Sequence, residues 1–323
     1  MKAAVIYPNE ERPRYTDFPE PLIQNDDEVL VRVKAVAIKH LDKSMASGKH
    51  YASVAPKDHG ALIGGDGVCL LADGTRVYGM GVSGMLAEKA VIHKDRIVRL
   101  PESLDNATAA ALPNAVIGAA MGLKFKANIH TGDVVLINGA TGVTGRVAVQ
   151  LAKYYGAKKV IATGRNQQSL EDLLSLGADE TVSLKQTDEK FTAQLAAIHH
   201  HTPIDIVIDY LWGHTAELIL QVLKGTGMFT RPISYVSVGS MSGDQMQLSA
   251  AVLRSVDLTL TGSGLGSWSK HEVGLALTEI LPEAFQLAAE GKLKVETTLA
   301  KLSDIADLWD LEVPGGKRLV VTI

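Results

Sequence analysis

Apolar and polar positions alternate along this chain with two different periods, and the change of period divides it. Residues 28–38 (EVLVRVKAVAI) alternate apolar with charged, the period-2 pattern of a half-buried strand. Residues 2–7 alternate more weakly, up to Pro8. Residues 60–67, 74–78 and 85–97 give further short strands between glycines and polar turns. Many short strands with such punctuation predict a small barrel-like β domain. From Asn106 the texture changes: ATAAALPNAVIGAAMGLKF predicts helix on both sides of Pro113. Residues 134–137 are then continuously apolar, as suits a parallel strand buried on both faces. A helical stripe follows, with Val143, Val147 and Leu151 recurring every four residues, and Gly156 is placed to end it. Residues 159–163 read as the next strand. Helix at 168–176, strand near Thr181 and Val182, a polar helix, and strand at 204–209 come next. Helix at 213–223, strand at 233–238, helix at 248–254 and strand at 258–261 complete the alternation. That makes six strands, as a doubly wound parallel sheet requires. Residues 270–290 predict one long amphipathic helix. The apolar tail, 317–323, reads as a strand that returns to the first domain.

The first strand–helix junction carries the candidate chemistry. It reads Gly139-Ala140-Thr141-Gly142-Val143-Thr144-Gly145. Glycines at these spacings let the chain turn tightly, let backbone approach a pyrophosphate, and let the helix pack on its strand. The helix N-terminus adds free N–H groups and a positive dipole end. Strand, turn, helix and second strand fall in the order a dinucleotide site needs; the alternative is a tight turn that binds nothing. The second strand ends in Thr163-Gly164-Arg165-Asn166, with no acid. An enzyme preferring NAD places Asp or Glu about twenty residues past the glycines to hold the ribose 2′-hydroxyl. A guanidinium instead suits a 2′-phosphate. The reading is therefore NADPH, with Arg165 as main phosphate ligand and Thr163 and Asn166 beside it. A solvated loop arginine is the alternative.

Composition narrows the class. The 323 residues suffice for two domains; 46% are hydrophobic and 21% charged, ordinary for a soluble globular protein. The net charge of −4 gives no electrostatic case for nucleic acid. The single cysteine, Cys69, excludes an intrachain disulfide and a cysteine-rich zinc site. No apolar run is long enough for a signal core or a membrane span, so a cytoplasmic enzyme acting on a small molecule is the expectation. The run His199-His200-His201 reads as a solvated helix end, with a metal site as the alternative.

The order of these parts resembles the medium-chain dehydrogenase/reductases, specifically their zinc-free quinone oxidoreductase branch. The resemblance runs through MKAAVI, AVAIKHLDKSMASGKHY, IGGDGV and RIVRLPESLDNATAAALPNAVIGA. It continues in GDVVLINGATGVTGRVAVQLAKYYGAKKVIAT, LGAD, DIVIDYLWG and GKRLVVTI. It implies an α/β fold in two domains. A GroES-like β-rich catalytic domain takes residues 1–113 and 263–323, and a Rossmann NADP(H)-binding domain takes 114–262. It also implies NAD(P)H-dependent reduction and a homodimer formed edge to edge through the Rossmann sheet. Zinc-dependent members carry Cys where this chain has Lys39, and a His-Glu pair where it has Gly65-Asp66. The family's four-cysteine lobe would fall between Ile92 and Pro101, where there is no cysteine. Lysine is a poor zinc ligand and glycine has no donor. No metal is expected, the alternative being a site improvised from His40, His50, His59 and Asp66.

Without a metal to polarise a carbonyl, conjugate reduction is the natural chemistry. Hydride goes to the β-carbon of an activated alkene, and charge develops on oxygen, which needs a donor and a proton source. Lys39, Asp42 and Tyr51 lie in the segment resembling the family's cleft-lining loop. Lys39 is read as positive charge near the substrate oxygen or nicotinamide ribose, Asp42 as holding Lys39 or a ribose hydroxyl, and Tyr51 as a pocket cap and proton donor. The alternatives are a surface lysine, a helix N-cap and a packed aromatic. The resemblance also places Trp212, Gly239 and Ser240 beside the cofactor; Trp212 has a core role as its alternative. The leading expectation is an NADPH-dependent, zinc-independent reductase of quinones or α,β-unsaturated carbonyls. A carbonyl (ketone) reductase and a non-catalytic NADPH-binding sensor or structural protein are the other readings.

Overall fold

The computed structural model describes residues 1–48, 59–311 and 313–323. It divides into two compact units, one made of Met1–Asn114 with Leu277–Ile323, the other of Ala115–Ala276. Along the chain the first unit opens with β1 (Lys2–Ile6), β2 (Arg14–Asp17), β3 (Glu28–Ala37) and α1 (His40–Ala46). It continues with β4 (Ala61–Leu62), β5 (Asp66–Leu70), β6 (Arg76–Gly81) and β7 (Lys89–Arg99). Helix α2 (Asn106–Ala120) follows and contains Pro113. Next come β8 (Val134–Asn138), α3 (Val143–Tyr154), β9 (Lys159–Gly164), α4 (Gln167–Ser175), β10 (Glu180–Ser183) and α5 (Asp188–His201). The second unit ends with β11 (Ile206–Asp209), α6 (Gly213–Leu223), β12 (Ile233–Ser237), α7 (Ala250–Ser255), β13 (Leu258–Gly262) and α8 (Lys270–Leu275). The chain closes with α9 (Leu281–Ala289), β14 (Thr297–Lys301), α10 (Ile305–Leu308) and β15 (Arg318–Thr322).

In the first unit β3 is long enough to serve several partners. Its first half pairs with β7, its middle with β5, and its end with β15. Because β5 pairs β6 and β6 pairs β7, strands β3, β5, β6 and β7 close a ring of hydrogen-bonded neighbours, which leaves no free edge among them. Inward positions of the alternating pattern fill it: Val31, Val33, Val36, Cys69, Val77, Ala90 and Ile92 are all buried. The tail strand β15 joins this sheet antiparallel to β3, as its apolar residues predict. Strands β2 and β14 are not legible in the sequence. Both are short, have no fully buried residue and lie at sheet edges, so no buried face writes an alternating pattern into them.

The second unit is a six-stranded sheet in the order β10-β9-β8-β11-β12-β13, parallel throughout. β8 is buried at every position, which is why it reads as an unbroken apolar run. Strand order reverses between β8 and β11, where the two halves of the sheet diverge. A crevice outside the carboxyl ends of the strands at such a switch point is where open α/β sheets take ligands.

The helix expected over 270–290 is broken. α8 gives way to a π-helical turn at Ala276–Ile280, and α9 restarts at Leu281 with Pro282 in its first turn. Proline has no N–H and clashes with the preceding turn, so an uninterrupted α-helix cannot pass through it unstrained. Among the described residues no helix is long and apolar enough to cross a membrane.

Candidate active site

Glycine geometry sets the candidate cofactor site of the second unit. Gly139 leaves β8 with φ +84°, a conformation open to glycine at little cost. A Cβ on Gly145 would lie 2.5 Å from Ala140 Cα, so only glycine lets α3 pack this close to its own turn. Gly142 is the N-cap of α3, and a Cβ built there meets nothing within 4 Å. The N-cap thus opens onto free space, and the first N–H groups of α3, those of half-buried Val143 and Thr144, have no acceptor within the helix. That is the cradle a pyrophosphate needs, and the residues present fit one. Thr141 lies in the same turn and is half-buried.

At the end of β9, Arg165 is exposed and makes no ion pair among the described residues. The next strand over, β10, brings exposed Lys185 close in register, since Leu184 N donates to Gly164 O at 2.7 Å. Asn166 caps α4, its Oδ1 accepting from Ser169 N at 2.9 Å. Thr163 is placed differently from its expected post beside a phosphate. It is fully buried. Its hydroxyl donates to Asn138 Oδ1 at 2.7 Å and accepts from Gly139 N at 3.1 Å, so its polar group is spent on the glycine turn.

Three residues that sequence reading does not single out complete this site. Asn138 ends β8, Asp209 ends β11 and Tyr235 lies in β12; all are fully buried. Asp209 Oδ1 accepts from Asn138 Nδ2 at 2.7 Å, Leu211 N at 2.8 Å and Trp212 N at 3.1 Å. Tyr235 donates to Asp209 Oδ2 at 2.7 Å. Burial, then the Asp209 charge, pushes the Tyr235 phenol far up. A polar residue closing each apolar run, Asn in VVLIN and Asp in IVID, is the signal available. Trp212 is half-buried, edge-on to Tyr235 at 6.4 Å, with φ +57°. Gly239 N donates to the Asp209 carbonyl at 3.1 Å, so that N–H is committed within the protein, while Ser240 is exposed.

In the first unit, Lys39 precedes α1 and is 3% exposed. Its ammonium donates to Asp66 Oδ1 at 2.5 Å and to Ala37 O at 3.2 Å, and lies 3.2 Å from Asp42 Oδ2. An ammonium has three N–H bonds, and all three have partners here. Lys39 is therefore not the surface lysine of the alternative reading, and in this arrangement it has no donor left for the substrate oxygen that the sequence reading sets beside it. Burial works against the charge, but Asp42 and Asp66 together outweigh it and hold the Lys39 pKa above its ordinary value. Asp42 stands in the first turn of α1 rather than at its N-cap. It accepts from Lys39 N at 2.9 Å and from Gly65 N at 3.2 Å, tying α1 to the Gly64–Gly65 turn. Tyr78, also buried, donates to Asp66 Oδ2 at 2.9 Å, and burial followed by that carboxylate raises its phenol. Arg318 of β15 is buried within reach of the Asp42 and Asp66 charges. Tyr51 and His50 lie outside the described residues. Among the described residues no three His, Cys, Asp or Glu side chains converge as a metal site.

A cavity of about 450 Å³ opens elsewhere, at the amino ends of β8 and β9, beside Lys158, His201 and Arg231. Its acids are already paired, Asp205 with Arg231 at 3.0 Å and Asp179 with Lys153 at 2.7 Å. It lies at the opposite end of these strands from the glycine turn, and the chemistry above does not use it.

Comparison with known proteins agrees with this geometry. Residues 143–281 match the family model described as zinc-binding dehydrogenase. That span includes none of Lys39, Asp42 or Asp66. A protein of Emericella nidulans named "Probable NADPH-dependent quinone reductase tdiC" is 26% identical, covering 96% of each chain. The quinone oxidoreductase of Sus scrofa is 29% identical over 58% of this chain and 59% of its own. The quinone oxidoreductase of Thermus thermophilus, solved also in complex with NADPH, superposes with a TM-score of 0.81 at 25% identity over the whole of both chains. With its barrel-like β unit and its Rossmann-like parallel sheet, the chain belongs to the medium-chain dehydrogenase/reductase superfamily and is quinone oxidoreductase-like.

Proposed function

We propose that this protein is an NADPH-dependent reductase that passes hydride to a quinone or an α,β-unsaturated carbonyl without zinc. The observation that carries the reading is the end of β9, where exposed Arg165, without an ion pair among the described residues, stands with no carboxylate where an NAD enzyme would hold a ribose. The names of its relatives, an NADPH-dependent quinone reductase and a quinone oxidoreductase, support it. Bound NADPH supplies the hydride. The first turn of α3 receives the pyrophosphate, Arg165 takes the 2′-phosphate with Asn166 at its side, and Trp212, Gly239 and Ser240 border the nicotinamide half. Thr163 serves by fixing Gly139. The unit Met1–Asn114 with Leu277–Ile323 is the catalytic domain and Ala115–Ala276 the cofactor domain, so the second boundary lies at 277 and not at the 263 expected from the sequence; the active form is a cytoplasmic homodimer.

Lys39 takes the place a metal would need and fills it with a fixed charge. With its N–H bonds spent on Ala37, Asp42 and Asp66, it is a positioning residue, and Asp42 carries that order to the Gly64–Gly65 turn. Tyr51 is left as the proton donor of the reading. The test is NADPH and NADH consumption with 1,4-naphthoquinone, an enone and a plain ketone, on metal-free protein. Turnover with quinone or enone, NADPH far preferred, and loss of that preference in Arg165→Ala are expected. Turnover of the ketone alone makes it a carbonyl reductase; tight NADPH binding with no turnover makes it a sensor. A requirement for stoichiometric zinc overturns the reading.

A further inference from the structure

We propose that Asp209 is a positioning residue that sets three cofactor-facing loops as one body, an inference that rests on the NADPH reading above. The carboxylate is fully buried at the end of β11, beside the switch point. No Lys, Arg or His pairs with it among the described residues. A buried charge without a counter-ion is costly unless its lone pairs are met by donors. Here four donors meet it: the Asn138 amide, the Leu211 and Trp212 backbone N–H groups, and the Tyr235 hydroxyl.

The donors come from the end of β8, the loop after β11 and strand β12. The Leu211 and Trp212 N–H groups lead into α6, and Trp212 is held there at φ +57°, ψ −159°, backbone that a side-chain-bearing residue seldom adopts. Through Asn138 the network reaches Thr163, and through Thr163 it reaches Gly139 N. The Asp209 carbonyl accepts from Val238 N at 2.8 Å and Gly239 N at 3.1 Å, fixing the loop after β12. Asp209 thus touches, directly or through one side-chain chain, the loops that follow β8, β11 and β12. A neutral residue could fill the space, but only an acceptor-only group satisfies all four donors at once. The adenosine end of the cofactor, by contrast, falls to Arg165, which the network does not reach.

The test separates the two ends. Dissociation constants for NADPH and for adenosine 2′-monophosphate, which has the 2′-phosphate but no pyrophosphate, are measured by calorimetry on the wild type, Asp209→Asn and Tyr235→Phe, with thermal melts alongside. Asp209→Asn is expected to weaken NADPH at least about ten-fold and the monophosphate less than about two-fold. Tyr235→Phe, which keeps the carboxylate and three of its donors, is expected to show the same split at about three-fold, and it decides the matter if Asp209→Asn does not fold. Equal losses for both ligands, or NADPH binding unchanged in the folded variants, overturn the positioning role. A wild type that binds neither ligand sinks the underlying NADPH reading instead.

Discussion

Each unit of this protein hides one polar network, and the two are built from the same parts with opposite charge accounting. In the first, Tyr78 donates to Asp66 at 2.9 Å; in the second, Tyr235 donates to Asp209 at 2.7 Å. Around Asp66 stand a lysine, a second aspartate and a buried arginine, so the charges sum to neutrality. Around Asp209, among the described residues, stand only neutral donors. A neutralised cluster depends on every ion keeping its partner, since a buried charge left alone is what costs most. A lone anion depends on the number and direction of its hydrogen bonds. The first kind locks a place; the second orients what surrounds it.

The largest expected effect follows from removing the cation of the first network. Lys39→Met leaves Asp42 and Asp66 facing each other in a buried site, and breaking such a pair costs about 3–5 kcal/mol. Denaturant unfolding of the variant measures it. The double variant Lys39→Met with Asp66→Asn should recover part of the loss, because it removes the orphaned charge as well. If the single variant is as stable as the wild type, the network is not an ion-paired lock. The wild type carries its own check. The Lys39 pKa is raised in the fold, so its stabilisation is complete below the ordinary lysine value near 10.5 and fades as pH rises through the folded value. Unfolding followed upward from pH 9 should show an alkaline limb that is shallower in Lys39→Met, where the raised phenols of Tyr78 and Tyr235 still contribute to it.

The matched tyrosines give the next effect. Tyr235→Phe removes one of four donors to an anion with no counter-ion, and a hydrogen bond to a charged group contributes about 1.5–3 kcal/mol. Tyr78→Phe leaves Asp66 still paired with Lys39, so a cost nearer about 1 kcal/mol is expected. Thermal melts of the two variants rank them. Equal losses would mean that charge compensation does not distinguish the networks.

What the sequence discloses of each network differs in the same way. The parallel strands are legible because burial on both faces writes an unbroken apolar run, and the glycine turn because Gly139 and Gly145 answer to backbone geometry. Lys39 and Asp42 stand out through the family resemblance, yet their burial does not, since a lysine buried by two aspartates leaves no local pattern; Asp66 is 27 residues from Lys39. Asp209 shows in the sequence only as the polar end of a strand. Its partners Asn138 and Tyr235 lie 71 and 26 residues away, and only the sheet order brings them to it. Thr163 reads as a ligand because position along β9 is visible and the direction of a hydroxyl is not.

The smallest effect sharpens the contrast from the acid side. His199, at the end of α5, accepts from Ile204 N at 3.1 Å through Nδ1, so that bond exists only while the ring is unprotonated at that atom. Burial lowers its pKa below 6.5, with the Asp205 charge pulling the other way. A base with a depressed folded pKa binds fewer protons in the fold than unfolded, so stability rises with pH across the interval between the two values. The contribution is therefore complete above 6.5 and lost as pH falls below it. With the ring only half buried, solvent screening keeps this to about 0.5 kcal/mol or less. His199→Gln should flatten the acid limb between pH 6.5 and 5 and leave the alkaline limb untouched, whereas Lys39→Met should do the reverse. If either variant moves both limbs, the Lys39 and His199 contributions are not separable by pH.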